Sequence, residues 1–210
     1  MLCEFFRLFP RNIGRGRLEE EQLKTLKHQC AKLLGDKTAR DMSSQLAGRL
    51  DTQIEIPLSL PVAVELQQRF AQSCLHWIQE SKRNWDKRAS ELWEDDTFGI
   101  AVYELWLNKQ VAGDYNPVHI HGGDFSGVLY VQVPDQIDGN DYAGALGIHG
   151  PECFDPVKMQ MGMMQYFTPV EGDFYVFPAW QPHSVMPFKG EGERWSIAFN
   201  AQVVRPQMSQ

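Results

Sequence analysis

Two histidines one residue apart, His119 and His121, and a third at His183 are the side chains of this sequence best suited to chemistry. Side chains at i and i+2 of an extended segment point to the same side, so one strand end can offer both imidazoles to one ion. A distant third histidine would complete a facial set that leaves positions on a first-row metal open for a cosubstrate and O2. The alternative is that the pair is ordinary polar decoration of a surface strand.

The flanking sequence favours the metal-site interpretation. A loop-type cluster at residues 113–117 precedes the first pair, and residues 125–133 after it have the composition of a buried strand. His183 likewise follows a predicted strand at residues 173–178 and the rigid residue Pro182. All three histidines are therefore predicted at strand ends, where a rigid scaffold commonly presents its functional groups.

A second candidate group lies eleven residues after His183, in the alternating segment Arg194–Asn200. On a strand, Arg194 and Ser196 would share one face, while the aromatic and branched residues between them would share the other. An arginine inside a barrel needs an anion, because a buried unpaired charge is costly. Its planar guanidinium suits a carboxylate, and the Ser196 hydroxyl could bond the same group. A structural salt bridge or an exposed arginine is the alternative interpretation.

Length and composition indicate the class of protein that must position these groups. The 210 residues contain 43% hydrophobic and 22% charged side chains, which is ordinary for one soluble globular domain. The net charge of −7, without a dense basic stripe, argues against a nucleic-acid partner. No segment approaches the roughly 20 apolar residues of a membrane helix, so no membrane partner is expected. Residues 1–10 are interpreted as a first strand and not as a signal peptide.

The cysteines indicate the compartment in which the protein is expected. Four cysteines are scattered along the chain without a C-x-x-C pair, and we expect them to be reduced, partly buried thiols. They are Cys3, Cys30, Cys74 and Cys153. A cytoplasmic protein is therefore the expectation.

Hydrophobic periodicity changes from helical to strand-like near Asp96. Residues 18–35 and about 62–93 carry apolar stripes of helical spacing. Residues 41–59 are ambiguous, and Ile54, Ile56, Leu58 and Leu60 alternate as in a short strand. Seven candidate strands follow, at residues 98–108, 125–133, 143–148, 161–168, 173–178, 183–188 and 194–203. The pattern predicts a mainly β fold with a helical layer, a jelly roll preceded by N-terminal helices.

We expect one domain over residues 1–210. Residues 1–96 would form a mainly helical part packed on the barrel, and residues 97–205 the jelly-roll catalytic core. The long helices also offer a face for a possible homodimer.

Five segments together resemble the 2-oxoglutarate and Fe(II)-dependent oxygenases of bacteria and phages, over roughly residues 98–203. They are Asn116–His121, Ser126–Tyr130, Gly172–Pro178, His183 and Arg194–Asn200. The resemblance implies a double-stranded beta helix that uses Fe(II) and the cosubstrate 2-oxoglutarate to hydroxylate a C–H bond. It also implies that Arg194 and Ser196 hold the distal carboxylate of 2-oxoglutarate. The sequence does not identify the substrate, which we expect to be a small molecule or a peptide.

The resemblance carries over a set of site residues, with one departure. Relatives in the wider superfamily have an aspartate or glutamate where this chain has His121, so either three histidines bind the metal or Asp124 replaces one of them. We favour the histidines, since Asp124 follows a Gly-Gly loop and is better placed to cap that loop. The predicted catalytic and metal residues are thus His119, His121 and His183; the predicted cosubstrate residues are Arg194, Ser196, Asn108, Ser126 and Tyr130.

A rival interpretation keeps the fold and changes the function. Gly113 before the His-x-His pair, and Gly172 and Pro178 before His183, also resemble the two motifs of cupins. Cupins expect a glutamate shortly after the second histidine, and this chain has none there. The alternative function is therefore a cupin-like metal-binding jelly roll without 2-oxoglutarate chemistry, and a scaffold module with vestigial histidines is a third possibility.

Trp106 and Trp180 are interpreted as buried packing residues, with the wall of a substrate cavity as the alternative.

Overall fold

A computed structural model describes residues 12–82, 91, 98–155 and 160–205 of the chain. Two α-helices, α1 (Glu20–Gly35) and α2 (Pro61–Lys82), and a short 3-10 helix, Ser43–Gln45, belong to its first part. The strands are β1 (Gly14–Arg17), β2 (Thr52–Glu55), β3 (Gly99–Gln110), β4 (Asn116–His119), β5 (Phe125–Gln132), β6 (Leu146–Asp155), β7 (Gln160–Phe167), β8 (Asp173–Pro178), β9 (His183–Val185) and β10 (Arg194–Val204).

The strands form two antiparallel sheets with a cavity between them. The six-stranded sheet has the order β1-β8-β5-β10-β3-β2, and the four-stranded sheet has the order β4-β9-β6-β7. From β3 to β10 the chain passes repeatedly between the two sheets, which is the winding of a jelly roll. This architecture confirms the mainly β fold with a helical layer, and the double-stranded beta helix implied by the resemblance.

The two helices cover the outer face of the six-stranded sheet. Helix α1 begins at a capping box formed by Glu19 and Gln22, and it buries Leu26 and Cys30. Helix α2 buries a longer stripe, whose Phe70 ring stacks on Phe199 of β10 with ring centroids 4.2 Å apart. Burial of such aromatic side chains on both partners is the main source of stability in this layer.

Strand β10 separates the core from the cavity by simple alternation. Ile197 and Phe199 belong to the apolar core beneath the helices, whereas Arg194, Ser196 and Ala198 line the cavity between the sheets. Side chains alternate between the two faces of a strand, so one strand serves both purposes. The faces are those that the sequence pattern predicts.

Several element bounds differ from the prediction. Strands β1 and β4 were not predicted, β6 continues through residues 149–155 where a loop was expected, and β9 ends at Val185. Both missed strands are four residues long and β4 contains a proline, so strand propensity is weak and pairing with β8 or β9 determines the conformation. The ambiguous segment does contain a strand, β2. The predicted strand at residues 1–10 and the predicted helix beyond Lys82 lie outside the described residues, apart from residue 91.

The N-terminal part contributes more than helices. Strand β1 forms one edge of the six-stranded sheet and β2 the other, so residues before 96 complete the sheet at both edges. Gly16 of β1 is required by packing, because a Cβ there would lie 2.2 Å from the Phe174 ring. The shared sheet and core support the proposal that the whole chain is one domain.

Two further expectations can be compared with the structure. Cys30 and Cys74 are free thiols, as predicted, although they are fully and not partly buried. Burial raises the pKa of each to about 12, which disfavours the reactive thiolate. Cys3 and the side chain of Cys153 lie outside the described residues. Among the helices described, none is long and apolar enough to span a bilayer.

Candidate active site

Three imidazoles that are far apart in the sequence meet at one end of the cavity. Strands β4 and β9 pair so that His119 lies opposite His183, and the backbone N–H of His121 donates to the carbonyl of Ala179, 2.9 Å away. The potential ligand atoms of the three histidines all lie within 4.8 Å of one another, with 3.2 Å between Nε2 of His121 and Nε2 of His183. The structure therefore brings the three predicted ligands together.

Backbone carbonyls hold two of the rings in a defined tautomer. Nδ1 of His119 lies 2.7 Å from the Pro117 carbonyl oxygen, and Nδ1 of His183 lies 2.9 Å from that of Gln181. A carbonyl oxygen only accepts, so each Nδ1 donates its hydrogen and each Nε2 keeps its lone pair. Rings fixed in this way are typical of histidines that bind a metal through Nε2.

Burial keeps the imidazoles neutral. It lowers the pKa of His183 to about 3 and that of His121 to about 4, and charge repulsion from neighbouring histidines acts in the same direction. Burial also lowers the pKa of His119, opposed by its bond to the Pro117 carbonyl. Since neutral imidazole is the form that binds metals, the site needs no deprotonation at neutral pH.

Asp124 has a different role from the histidines. It lies on the exposed loop after His121, and its Oδ2 accepts from the backbone N–H of Val203 at 2.7 Å. Its own backbone N–H donates to Ala201, and its carbonyl accepts from Ala179. The residue fixes the loop to β10, and in the described chain the cluster of potential ligands contains the three histidines without it.

Arg194 is a buried cation in the same cavity, with 1% of its surface exposed. It donates through Nη1 to the Gly144 carbonyl and through Nη2 to Oε1 of Gln110, and its guanidinium carbon lies 5.9 Å from the centre of the Tyr130 ring. Its Nε has no hydrogen-bond partner in the part of the chain that the structure describes. Among the described residues, no carboxylate forms an ion pair with it. Burial lowers the pKa of Arg194, and the electrostatic effects of Tyr130 and Asp114 oppose that shift.

The other predicted cosubstrate residues line this cavity as well. Ser196 lies opposite Asn108 on β3 and Tyr130 on β5, so the three form a row across the sheet. Ser126 also lines the cavity, but its hydroxyl already donates to the Phe199 carbonyl at 3.0 Å. Burial raises the pKa of Tyr130 to about 12, so the phenol stays protonated and can donate.

Sequence reasoning missed three groups that position the predicted ones. Gln110 lies opposite Arg194 in register and holds it, and Gln53 of β2 donates to Oδ1 of Asn108 at 2.9 Å. Gly144 has φ of +63°, and a Cβ there would lie 2.5 Å from Ile137 and 3.1 Å from Arg194 Nη1. The alternation of β3 and β2 would have indicated both glutamines had the strands been extended to their true ends.

One tryptophan and two leucines form apolar parts of the cavity wall, and a second tryptophan is exposed. Trp106 lines the cavity with its ring 5.9 Å from that of His121, so the cavity-wall alternative applies to it. Trp180 is 56% exposed, so its interpretation as a buried packing residue is wrong. Leu46 and Leu50, from the segment before β2, form an apolar wall that sequence reasoning did not identify.

The donor set fits an iron ion and a dicarboxylic acid. Imidazole nitrogen suits Fe(II) and other first-row metals, and three ligands on one side leave positions open on the other. The unpaired guanidinium of Arg194 fits a carboxylate deeper in the cavity. The residues present can therefore hold both groups.

Comparison with known proteins agrees with this geometry. Residues 104–200 match the family model described as "Putative 2OG-Fe(II) oxygenase". This match confirms the resemblance stated from the sequence, and it points to an oxidoreductase whose cofactors are Fe(II) and 2-oxoglutarate. No protein of curated function matches the chain significantly.

Solved structures show the same fold. A prolyl-4-hydroxylase from Pseudomonas putida is similar with TM-score 0.59 and 16% identity, over 90% of this chain and 92% of that one. HygX from Streptomyces hygroscopicus, solved with nickel and 2-oxoglutarate, has TM-score 0.56 and 10% identity over 91% and 83%. A Trichoplax adhaerens prolyl hydroxylase, in complex with a peptide fragment of hypoxia inducible factor, has TM-score 0.55 and 11% identity over 89% and 81%.

Proposed function

From residues 104–200, which match the 2OG-Fe(II) oxygenases, we propose that this chain is an Fe(II) and 2-oxoglutarate-dependent hydroxylase. His119, His121 and His183 would bind the iron. Arg194 and Ser196 would bind the distal carboxylate of 2-oxoglutarate, with Asn108, Ser126 and Tyr130 around the cosubstrate. The substrate would be a small molecule or a peptide, since the proteins of this fold described above include one solved with a peptide.

The buried guanidinium is the observation that carries this proposal. A cation that is 1% exposed, with an unpartnered Nε and no carboxylate ion pair in the described chain, lowers stability unless a ligand compensates it. It shares one cavity with three neutral imidazoles that can hold a metal. A ligand with a carboxylate at one end and metal-binding oxygens at the other satisfies both ends of the cavity.

Each residue has a defined task in this proposal. Bound iron and 2-oxoglutarate would together supply the electrons that reduce and activate O2, so that one of its oxygen atoms could be inserted into a C–H bond. The carbonyls of Pro117 and Gln181 keep the Nε2 atoms of His119 and His183 available. Gln110 and Gly144 orient Arg194, so that the cosubstrate enters in one direction. Leu46, on the apolar wall, helps to exclude water from the reacting groups.

A metal-binding jelly roll without 2-oxoglutarate chemistry would need the histidines alone. It gives no reason for a buried arginine in the metal cavity that lacks a carboxylate ion pair in the described chain, which is why the oxygenase is preferred. The two functions differ in one property, the affinity of the metal-loaded protein for 2-oxoglutarate.

Turnover tests the proposal directly. Purified protein with Fe(II), O2 and ascorbate should convert 2-oxoglutarate to succinate and CO2 slowly even without a substrate, because ascorbate supplies the two electrons that a substrate would otherwise give. His183→Ala should abolish this turnover, and Arg194→Ala should raise the 2-oxoglutarate concentration needed for half-maximal rate by about 30-fold or more. His76→Ala, on α2 outside the cavity, is the matched control and should behave as wild type. Equal turnover by the Arg194→Ala variant would contradict the assignment of the carboxylate site.

A further inference from the structure

Above the iron site, two acceptor groups lie side by side on the cavity face of the six-stranded sheet. Asn200 of β10 pairs in register with Glu104 of β3, and its Nδ2 donates to Glu104 Oε2 at 2.8 Å. Asn200 is 5% exposed, whereas Glu104 is exposed to solvent. We call Glu104 and Asn200 the acceptor pair.

The chemistry of the acceptor pair fixes the orientation of the amide. A carboxylate oxygen accepts hydrogen bonds, so the amide of Asn200 must turn its NH2 group toward Glu104. This leaves Oδ1 of Asn200, which is buried and has no hydrogen-bond partner within the described ranges of the chain. A buried acceptor without a donor is uncommon in folded proteins, and it indicates that a donor from outside the chain occupies this position.

The acceptor pair is adjacent to the three histidines. Asn200 also pairs in register with Ser126, which lines the cavity, and the carbonyl of the next residue, Ala201, accepts from the Asp124 N–H in the loop that follows His121. Trp106, two residues from Glu104 on the same face of β3, lines the cavity with its ring 5.9 Å from that of His121. A group held by the acceptor pair would thus lie at the iron end of the cavity, opposite Arg194.

Charge at this end favours a cation. Glu104 provides a carboxylate, Asn200 Oδ1 a second acceptor, and the Trp106 ring a π face; all three attract N–H groups that carry positive charge. Burial raises the pKa of the nearby Tyr103, and the charges of Glu104 and Asp124 act in the same direction. Along this face of the sheet, the guanidinium of Arg194 therefore lies toward one end and the acceptor pair toward the other.

We propose that the substrate carries a protonated amine, and that Glu104 and Asn200 bind this ammonium group beside Trp106, which places neighbouring C–H bonds near the iron. This inference rests on the proposed function, because it deepens the assignment of the same site. It predicts that the site binds a cationic group in preference to a neutral or anionic one, at a position that the cosubstrate does not occupy.

Small probes of equal length test the charge preference. Protein loaded anaerobically with Mn2+ and 2-oxoglutarate is titrated with n-butylammonium, 1-butanol and butanoate, and the Mn2+-induced relaxation of the probe protons reports both affinity and proximity to the metal. Butylammonium should bind about tenfold more tightly than 1-butanol, and butanoate should bind more weakly than either. The CH2 protons next to nitrogen should be strongly relaxed.

Matched variants assign the preference to the acceptor pair. Glu104→Gln and Asn200→Leu keep side-chain size and should each reduce the advantage of butylammonium over butanol by at least about fivefold. Glu65→Gln removes the same charge from α2, on the other side of the sheet, and should leave it unchanged. Unaltered Mn2+ affinity and thermal melting would show that the variants are folded.

The outcomes separate this inference from the proposed function. If wild type binds Mn2+ and 2-oxoglutarate but binds the three probes equally, or if Glu104→Gln binds butylammonium as wild type does, the inference is wrong and the oxygenase proposal stands. If wild type fails to bind Mn2+ and 2-oxoglutarate, the proposed function fails. Saturation-transfer NMR on metal-free protein then makes the same comparison, and equal binding of the probes overturns the inference.

Discussion

The two faces of strand β10 are equally buried, but they differ in whether their side chains have suitable contacts or hydrogen-bond partners. On the helix side, Ile197 and Phe199 are 0% exposed and surrounded by apolar side chains. On the cavity side, Arg194 and Asn200 are 1% and 5% exposed, yet Arg194 Nε and Asn200 Oδ1 have no hydrogen-bond partner among the described residues. The difference between the faces is therefore one of chemistry and not of solvent access.

This contrast shows how one sheet supports both folding and binding. Apolar burial on the helix side contributes free energy of folding. Unpaired polar groups on the cavity side lower that free energy, and a bound ligand would recover it. Substitutions on the two faces should consequently have opposite signatures, on stability for one face and on ligand binding for the other.

The largest effect is expected from removing a metal ligand on the cavity side. His183→Ala should lower Mn2+ affinity at least about 100-fold, because two imidazoles hold the ion much more weakly than three. His149→Ala, on β6 beside His183 in the sheet, is the control and should retain metal binding within about tenfold. Anaerobic calorimetry measures both, and equal losses in the two variants would contradict the three-histidine site.

A large effect on stability is expected from the helix side. Phe199→Ala removes a ring that stacks on Phe70 at 4.2 Å, and it should lower the free energy of unfolding by about 3–5 kcal/mol. Ser196→Ala, three residues away on the cavity side, should change it by less than about 1 kcal/mol. Urea unfolding of the metal-free proteins gives both values. Similar losses would show that the two faces do not differ as described.

The smallest effect on stability, with a change in ligand response, is expected at Arg194. Arg194→Met replaces a buried cation without a carboxylate partner, so the free energy of unfolding should stay within about 1 kcal/mol of wild type or rise. Mn2+ with 2-oxoglutarate should raise the melting temperature of wild type clearly and that of the variant less. A strongly destabilised variant would mean that Arg194 has a structural role instead.

The spacing of the candidate site residues predicted that they lie together, but it did not predict the residues that support them. Histidines at i and i+2 must share a face, and the alternation after Arg194 assigns its face, so local geometry alone identified these groups. Gln110 and the Gly144 carbonyl are joined to Arg194 by contacts 84 and 50 residues apart in sequence, and no local pattern contains that information.

The elements of the fold were likewise predicted only where the local sequence determines them. The long periodic segments were predicted, including α1, β5, β8 and β10, because their own side chains determine which face is buried. Strands β1 and β4 were missed, since each has only four residues and is defined by its pairing with β8 or β9. The segments with Leu46 and Gln53 reach the cavity only through the edge position of β2, which is a property of the sheet order.

The most direct test of the account is the coupling between metal and 2-oxoglutarate. Calorimetry of 2-oxoglutarate binding, with and without Mn2+, should show at least tenfold tighter binding to the metal-loaded wild type and loss of most of that affinity in Arg194→Met, because one ligand spans the imidazoles and the guanidinium. Metal-independent binding, or binding that Arg194→Met leaves unchanged, would contradict the claim that both ends of this cavity hold a single cosubstrate.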